Sequence, residues 1–192
     1  MLHITILYGA IREGRQSVRV AKAVAHALRE SGKVKVTFID LKDYRLPVME
    51  QRLKDMAQPP QNLLTISNAI NTADGLILVT PEYNGSYSGA FKNMVDYFTK
   101  EYDKKPMAIA VASDGRLGGI NASHHLQHLV LSIGGLPMPY FLLTPRVQEA
   151  YDAAGHPATE KAKADLKKFV TEVIWFFSVI AAGKKALGPK PA

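Results

Sequence analysis

The run Gly75-Leu76-Ile77-Leu78-Val79 followed by Thr80-Pro81-Glu82-Tyr83-Asn84-Gly85-Ser86-Tyr87-Ser88-Gly89-Ala90-Phe91-Lys92-Asn93 decides the fold. Its first five residues are continuously apolar, the pattern of a strand buried on both faces. Phe91, Met94, Val95 and Phe98 then recur at the spacing of one helical face. The segment therefore reads as a strand, a loop and a helix start. In an open α/β sheet, the loop leaving the carboxyl end of a strand is where ligands bind. This loop offers a planar tyrosine, several hydroxyls, an amide and two glycines, a set that suits a flat ligand edged with heteroatoms.

The same alternation repeats toward both ends. Ile4, Ile6, Leu7 and Tyr8 mark a first strand. Ala21, Val24, Ala25 and Leu28 line a helix over about residues 16–31, and residues 34–39 form a second strand. A long irregular connection, Asp40 to Pro60, precedes a helix carrying Leu63, Ile66 and Ile70. The third strand, 75–80, leads to a helix over about 88–99. A fourth strand, 106–112, leads to a helix with Leu126, Leu129, Val130 and Ile133. Phe141-Leu142-Leu143 offers a fifth strand, and the last helix is expected over about 160–182. Five strands alternating with five helices imply a doubly wound parallel α/β sheet in the order 2-1-3-4-5, with helices on both faces.

Composition narrows the chemistry. At 192 residues and 47% hydrophobic, the chain is the size of one domain with a sizeable core. It has no cysteine, so disulfides, thiolate nucleophiles and Cys-ligated metals are excluded, and redox chemistry would need a cofactor. The amino terminus enters a strand pattern at once and lacks the pattern of a secretory signal, so a cytoplasmic location is expected. The net charge of +7 favours anionic ligands such as phosphorylated cofactors. Basic residues are scattered, and the densest cluster, Lys184-Lys185 through Lys190, reads as a solvated, flexible tail rather than a nucleic-acid arm. The apolar segment Phe169 to Ala182 is too short for a membrane span and contains Glu172.

With that strand order, the loops after strands one, three and four adjoin at the switch point. The first, Gly9-Ala10-Ile11-Arg12-Glu13-Gly14-Arg15-Gln16-Ser17-Val18-Arg19, places glycines and a helix start where backbone amides and the helix dipole attract an anion. It is neither Gly-x-Gly-x-x-Gly nor a Gly-Lys-Ser/Thr phosphate loop. A plain helix cap with solvated arginines is the competing reading. The third loop, Ser113-Asp114-Gly115-Arg116-Leu117-Gly118-Gly119, has three glycines that permit close approach of backbone to a ligand, or simply a strand-to-helix turn.

These three loops, above all Pro81-Glu82-Tyr83-Asn84-Gly85-Ser86 followed by Gly89-x-x-Lys92-Asn93, resemble those of the flavodoxin-like NADPH-dependent FMN reductases, a family that includes quinone, azo-dye and chromate reductases. The resemblance covers about residues 2–180 and implies a flavodoxin-like FMN-binding domain over residues 1–183, followed by the tail 184–192. It implies that Gly9, Arg12, Gln16 and Ser17 hold the FMN phosphate. Pro81, Glu82, Tyr83, Asn84, Gly85 and Ser86 would hold the isoalloxazine, and Ser113 and Gly115 would line its other side. NADPH or NADH would be the co-substrate, a quinone or similar molecule the acceptor, and a homodimer or homotetramer the assembly. Arg15 or Arg116 would contribute to the NADPH 2′-phosphate. The family often has Gly-Ser-x-Arg in its first loop and Asn two residues after the later serine; here those positions are Ala10 and Arg19.

No catalytic side chain is required if flavin carries the chemistry. Glu82 reads as orienting the loop rather than as an acid. His124, His125 and His128 read as polar or interface residues rather than metal ligands, since no acidic residue completes a motif. Tyr97, Tyr102, Trp175 and Phe176 suggest subunit contacts, and the Tyr140 to Pro157 connection suggests a lid or another contact. Two other readings stand beside the flavoenzyme. One is a flavodoxin-type electron carrier, which a net charge of +7 disfavours because such carriers tend to be acidic. The other is a non-catalytic flavodoxin-like interaction protein.

Overall fold

The computed structural model describes residues 1–188. Five parallel strands, β1 (Leu2–Tyr8), β2 (Val34–Asp40), β3 (Gly75–Pro81), β4 (Pro106–Ala112) and β5 (Leu136–Thr144), form one sheet ordered β2-β1-β3-β4-β5. Helices α1 (Val18–Glu30), α2 (Gln61–Asn71), α3 (Gly89–Asp96), α4 (Ile120–Ser132), α5 (Val147–Ala150) and α6 (Glu160–Leu187) surround it. This is the expected flavodoxin-like architecture. The chain runs outward from β1 to β2, then crosses back to β3 on the other side of β1. The switch point therefore lies between β1 and β3.

Strand periodicity explains the two layers. Ile4, Ile6, Tyr8, Ile77 and Val79 face a core shared with α1 and α6, together with the small residues Ala108, Ala110 and Ala112 of β4. Phe169 and Phe177 of α6 are fully buried in this layer, and Phe177 lies over Gly75 of β3, where an added Cβ would come within 2.3 Å of its ring. Leu7, Leu76, Leu78, Met107, Ile109 and Val111 point the other way, toward α2, α3 and α4. With β3 and β4 buried at every position, the continuous apolar runs read from sequence are accounted for.

Several expectations are revised. Strand β5 begins at Leu136, five residues before the apolar triplet that signals it, because Pro137 and Pro139 mask the pattern. Prolines are tolerated here because β5 is an edge strand, and its register against β4 shifts between Met107 and Ile109, where Pro139 falls. Tyr97 and Tyr102, expected at a subunit contact, are 2% and 1% exposed and pack in the chain's own core. Phe176 is half-buried against the α1–α6 layer, whereas Trp175 is 62% exposed. The connection after β5 packs onto α1: Tyr151 is buried, and Arg19 Nη1 donates to the Tyr151 carbonyl at 2.8 Å. Helix α6 continues to Leu187, so Lys184 and Lys185 are helical, while Lys190 lies outside the described residues. Among the described residues, no helix is long and apolar enough to cross a membrane.

Candidate functional site

The loop after β3 is anchored through two residues, Glu82 and Ser88. The Glu82 N–H donates to the Ala112 carbonyl at 3.0 Å, prolonging the pairing with β4. The Ser88 N–H donates to Thr80 Oγ1 at 3.1 Å, and the Ser88 hydroxyl donates to the Gly9 carbonyl, tying this loop to the first one. Ser88 also caps α3, its Oγ accepting from the Phe91 N–H at 3.1 Å. Finally, the Glu82 carboxylate sits on the start of α4, accepting from Asn121 Nδ2 at 3.2 Å and the Ala122 N–H at 3.1 Å. That carboxylate is thus engaged in orienting the loop.

Between these anchors the chain makes a two-residue hairpin turn. Tyr83 and Ser86 exchange both backbone hydrogen bonds, at 2.8 and 3.0 Å, across Asn84 (φ 49°) and Gly85 (φ 76°). Consecutive positive φ values define a type I′ turn, for which Asn-Gly is the preferred pair. The N–H groups of Asn84 and Gly85 find no acceptor among the described residues. Two donors are therefore presented at the turn's tip, beside the half-buried Tyr83 ring.

The first loop supplies a second set of unspent amides. Among the described residues, no acceptor takes the N–H of Arg12, Gly14, Gln16, Ser17 or Val18 at the head of α1. Ser17 occupies the N-cap position but makes no capping bond; its hydroxyl pairs with the buried Tyr8 hydroxyl at 2.9 Å. Burial pushes the Tyr8 phenol up to about 12, partly offset by the Ser17 bond and the Arg15 charge, so it stays protonated. With Tyr8 donating, Ser17 retains its own proton for an anion. Gly9 is required by close approach: an added Cβ would lie 2.2 Å from Phe91 Cδ2.

The loop's three arginines have distinct fates. Arg15 clasps Asp40 with both terminal nitrogens, at 2.5 and 2.6 Å, and lies over the Tyr8 ring. Burial by itself would lower its pKa, but the Asp40 bond and charge raise it. Arg15 is thereby committed to joining β1 and β2, which corrects its assignment to a cofactor 2′-phosphate. Arg19 Nε donates to Gln16 Oε1 at 2.9 Å, and Gln16 Nε2 donates to the Gly14 carbonyl at 2.8 Å, so these two shape the loop. Arg12 is exposed, makes no ion pair among the described residues, and lies 5.4 Å from the Tyr83 ring centroid. It bridges the first and second loops.

In the third loop, Ser113 Oγ accepts from the Gly115 N–H at 3.0 Å, and the Ser113 N–H donates to the Thr144 carbonyl at 3.0 Å. Gly118 serves packing rather than a ligand: with φ 64°, its Cβ would meet the Pro145 nitrogen at 2.8 Å. Arg116 is exposed. The motif pair Lys92 and Asn93 is structural. Lys92 pairs with Asp96 at 2.6 Å, and Asn93 holds the connection after β2 through the Pro47 carbonyl and the Met49 N–H, at 2.7 and 2.8 Å. Sequence reasoning gave no site role to Tyr8, Ser88, Asn121 or His125. His125 Nδ1 lies 3.0 Å from Ser86 Oγ, and His124 packs edge-on against Phe141.

Hollows of about 980 and 360 Å³ lie elsewhere, between α1 and α6 and beneath the end of β5. A third of about 580 Å³ flanks Ile11, Glu13 and the start of α3. Where the loops after β1, β3 and β4 meet, their free amides and hydroxyls mark the site better than cavity size does. An anion-binding helix start beside a donor-tipped turn fits a phosphate joined to a flat heterocycle.

Comparison with known proteins agrees. The chain is 27% identical to a quinone reductase of Escherichia coli (strain K12) over 141 residues, covering 71% of this chain and 73% of that protein. It is 33% identical to an NADPH azoreductase of Bacillus sp. (strain OY1-2) over 126 residues, 64% of this chain and 67% of that one. Its structure resembles FerB, a flavoenzyme NAD(P)H:(acceptor) oxidoreductase from Paracoccus denitrificans, with TM-score 0.77 and 25% identity across 93% of this chain and 98% of that one. Residues 2–149 match the model of a family described as NADPH-dependent FMN reductase. The chain belongs to the NADPH-dependent FMN reductase family of oxidoreductases.

Proposed function

We propose that the protein passes hydride from NAD(P)H through bound FMN to a quinone or similar flat acceptor, by a ping-pong mechanism. One observation carries the reading: two sets of unspent backbone amides stand on neighbouring strand ends, bridged by Arg12 over Tyr83. Flavin, when bound, supplies the two-electron chemistry, and the protein's work is positioning.

The amides of residues 12–18, with Arg12, Gln16 and the Ser17 hydroxyl, hold the phosphate. The Asn84 and Gly85 N–H groups, with Tyr83 and Ser86, hold the polar edge of the ring. Ser113 and Gly115 form the facing wall, while Gly9, Pro81 and Glu82 set the loops' shape. Arg116 is the remaining candidate for a 2′-phosphate, favouring NADPH over NADH. The names of the quinone reductase and azoreductase relatives support flat, conjugated acceptors. Dependence on NAD(P)H supports a cytoplasmic setting, which cell fractionation would test.

A homodimer or homotetramer is part of this reading, with the exposed Trp175 and Val179, one helical turn apart on α6, as a contact stripe. Light scattering at micromolar concentration should give a multiple of the chain mass, and a monomer mass would remove this part. The reaction itself is tested by initial rates with NADPH and benzoquinone varied together. Parallel double-reciprocal lines are expected. Intersecting lines would refute the shared, alternating site, and no NADPH oxidation without a separate reductase would favour an electron carrier.

A further inference from the structure

The first turns of α4 hold the Tyr83–Ser86 turn at two places. Asn121 and the Ala122 N–H take the Glu82 carboxylate, and His125, four residues after Asn121 and so on the same helical face, meets Ser86 Oγ at 3.0 Å. One contact lies on each side of the Asn84-Gly85 tip. The far strand is already anchored at Ser88, and the His125 contact adds a hold at Ser86, next to the tip itself. The ring nitrogen has a second consequence. A hydroxyl has one proton, so the hydrogen that Nδ1 accepts or donates determines whether Ser86 presents a donor or an acceptor to a ligand.

We infer that His125 is a positioning residue for the flavin site: through Ser86 it squares the Asn84-Gly85 turn to the ring edge and orients the Ser86 hydroxyl. The inference rests on the reading of these loops as an FMN site. His125 is exposed, and its loss removes no buried group, so variants fold. Asparagine places an amide about where Nδ1 stands and can both donate and accept.

The test uses the full chain, with FMN binding followed by quenching of flavin fluorescence and unfolding followed in urea. His125→Ala should raise the FMN Kd about three- to tenfold, the range for one hydrogen bond, with an unchanged unfolding midpoint. His125→Asn should restore the Kd to within about twofold of wild type. Ser86→Ala removes the hydroxyl's own ring contact as well and should lose at least as much as His125→Ala, and the double variant should be no worse than Ser86→Ala, since His125 acts through Ser86. A His125→Ala Kd within about twofold of wild type, an unrescued His125→Asn, or losses that multiply in the double variant would each overturn the inference. Wild-type protein that quenches no FMN would overturn the FMN reading and this inference together, whereas wild-type binding with His125→Ala unchanged would overturn the inference alone.

Discussion

Gly85→Val places a β-branched residue at φ 76° at the tip of the proposed flavin turn. No atom lies within 4 Å of the added Cβ, so the penalty is backbone strain and not a clash. A β-branched residue in the left-handed region costs of order 1–3 kcal/mol. That strain falls on one of two equilibria. If the free protein keeps the turn, the cost appears as lost stability; if the turn opens, closing it appears as lost affinity. The two losses should therefore sum to about 1–3 kcal/mol, and if binding bears all of it the FMN Kd rises about 5- to 150-fold. Urea unfolding of the free protein and fluorescence titration with FMN measure the two parts separately. Gly85→Asn should recover most of the loss, because asparagine tolerates this region. A Gly85→Val protein within about 0.5 kcal/mol of wild type in both measurements would refute the I′ geometry.

Other perturbations probe the surrounding supports. Gly9→Ala drives a methyl to 2.2 Å from the Phe91 ring and should destabilise the protein by about 1–3 kcal/mol, and an unchanged urea midpoint would refute that packing. Tyr8 releases its proton near 10 when unfolded but is held up to about 12 by burial when folded. Its stabilisation is therefore complete below about pH 10 and lost as pH rises through about 12, at up to about 1.4 kcal/mol per pH unit. Tyr8→Phe should accordingly show a shallower alkaline loss in that window, and equal slopes would contradict the assignment. Arg12→Ala should weaken FMN binding about tenfold at low salt and flatten its salt dependence, with Arg12→Lys recovering only part. An unchanged low-salt Kd would remove Arg12 from the site.

The strand order is legible because β3 is apolar from Gly75 to Val79, β4 is apolar throughout, and each is followed by a helical face, so the pattern survives without side-chain detail. Strand β5 is partly hidden, since two prolines interrupt it and an edge position allows them. The Asn84-Gly85 pair is a direct turn signal, and the loops after β1, β3 and β4 follow from topology. What single-sequence reading misses are partners from distant segments. Arg15 looks like Arg12 and Arg19 until Asp40 arrives at the end of β2, and His125 has no spacing relation to Ser86, which lies 39 positions away. Tyr97 and Tyr102 look like interface aromatics because their sequence does not reveal the short turn Lys100–Tyr102, which folds them into the core beside α2.

In the proposed function, this one chain both holds FMN and reduces it with NAD(P)H. The most direct measurement loads the purified protein with FMN, removes oxygen, adds NADPH with no other reductase present, and follows the visible flavin band before and after benzoquinone is added. The band should bleach with NADPH and return with the quinone. A band that NADPH leaves untouched would contradict the proposed function.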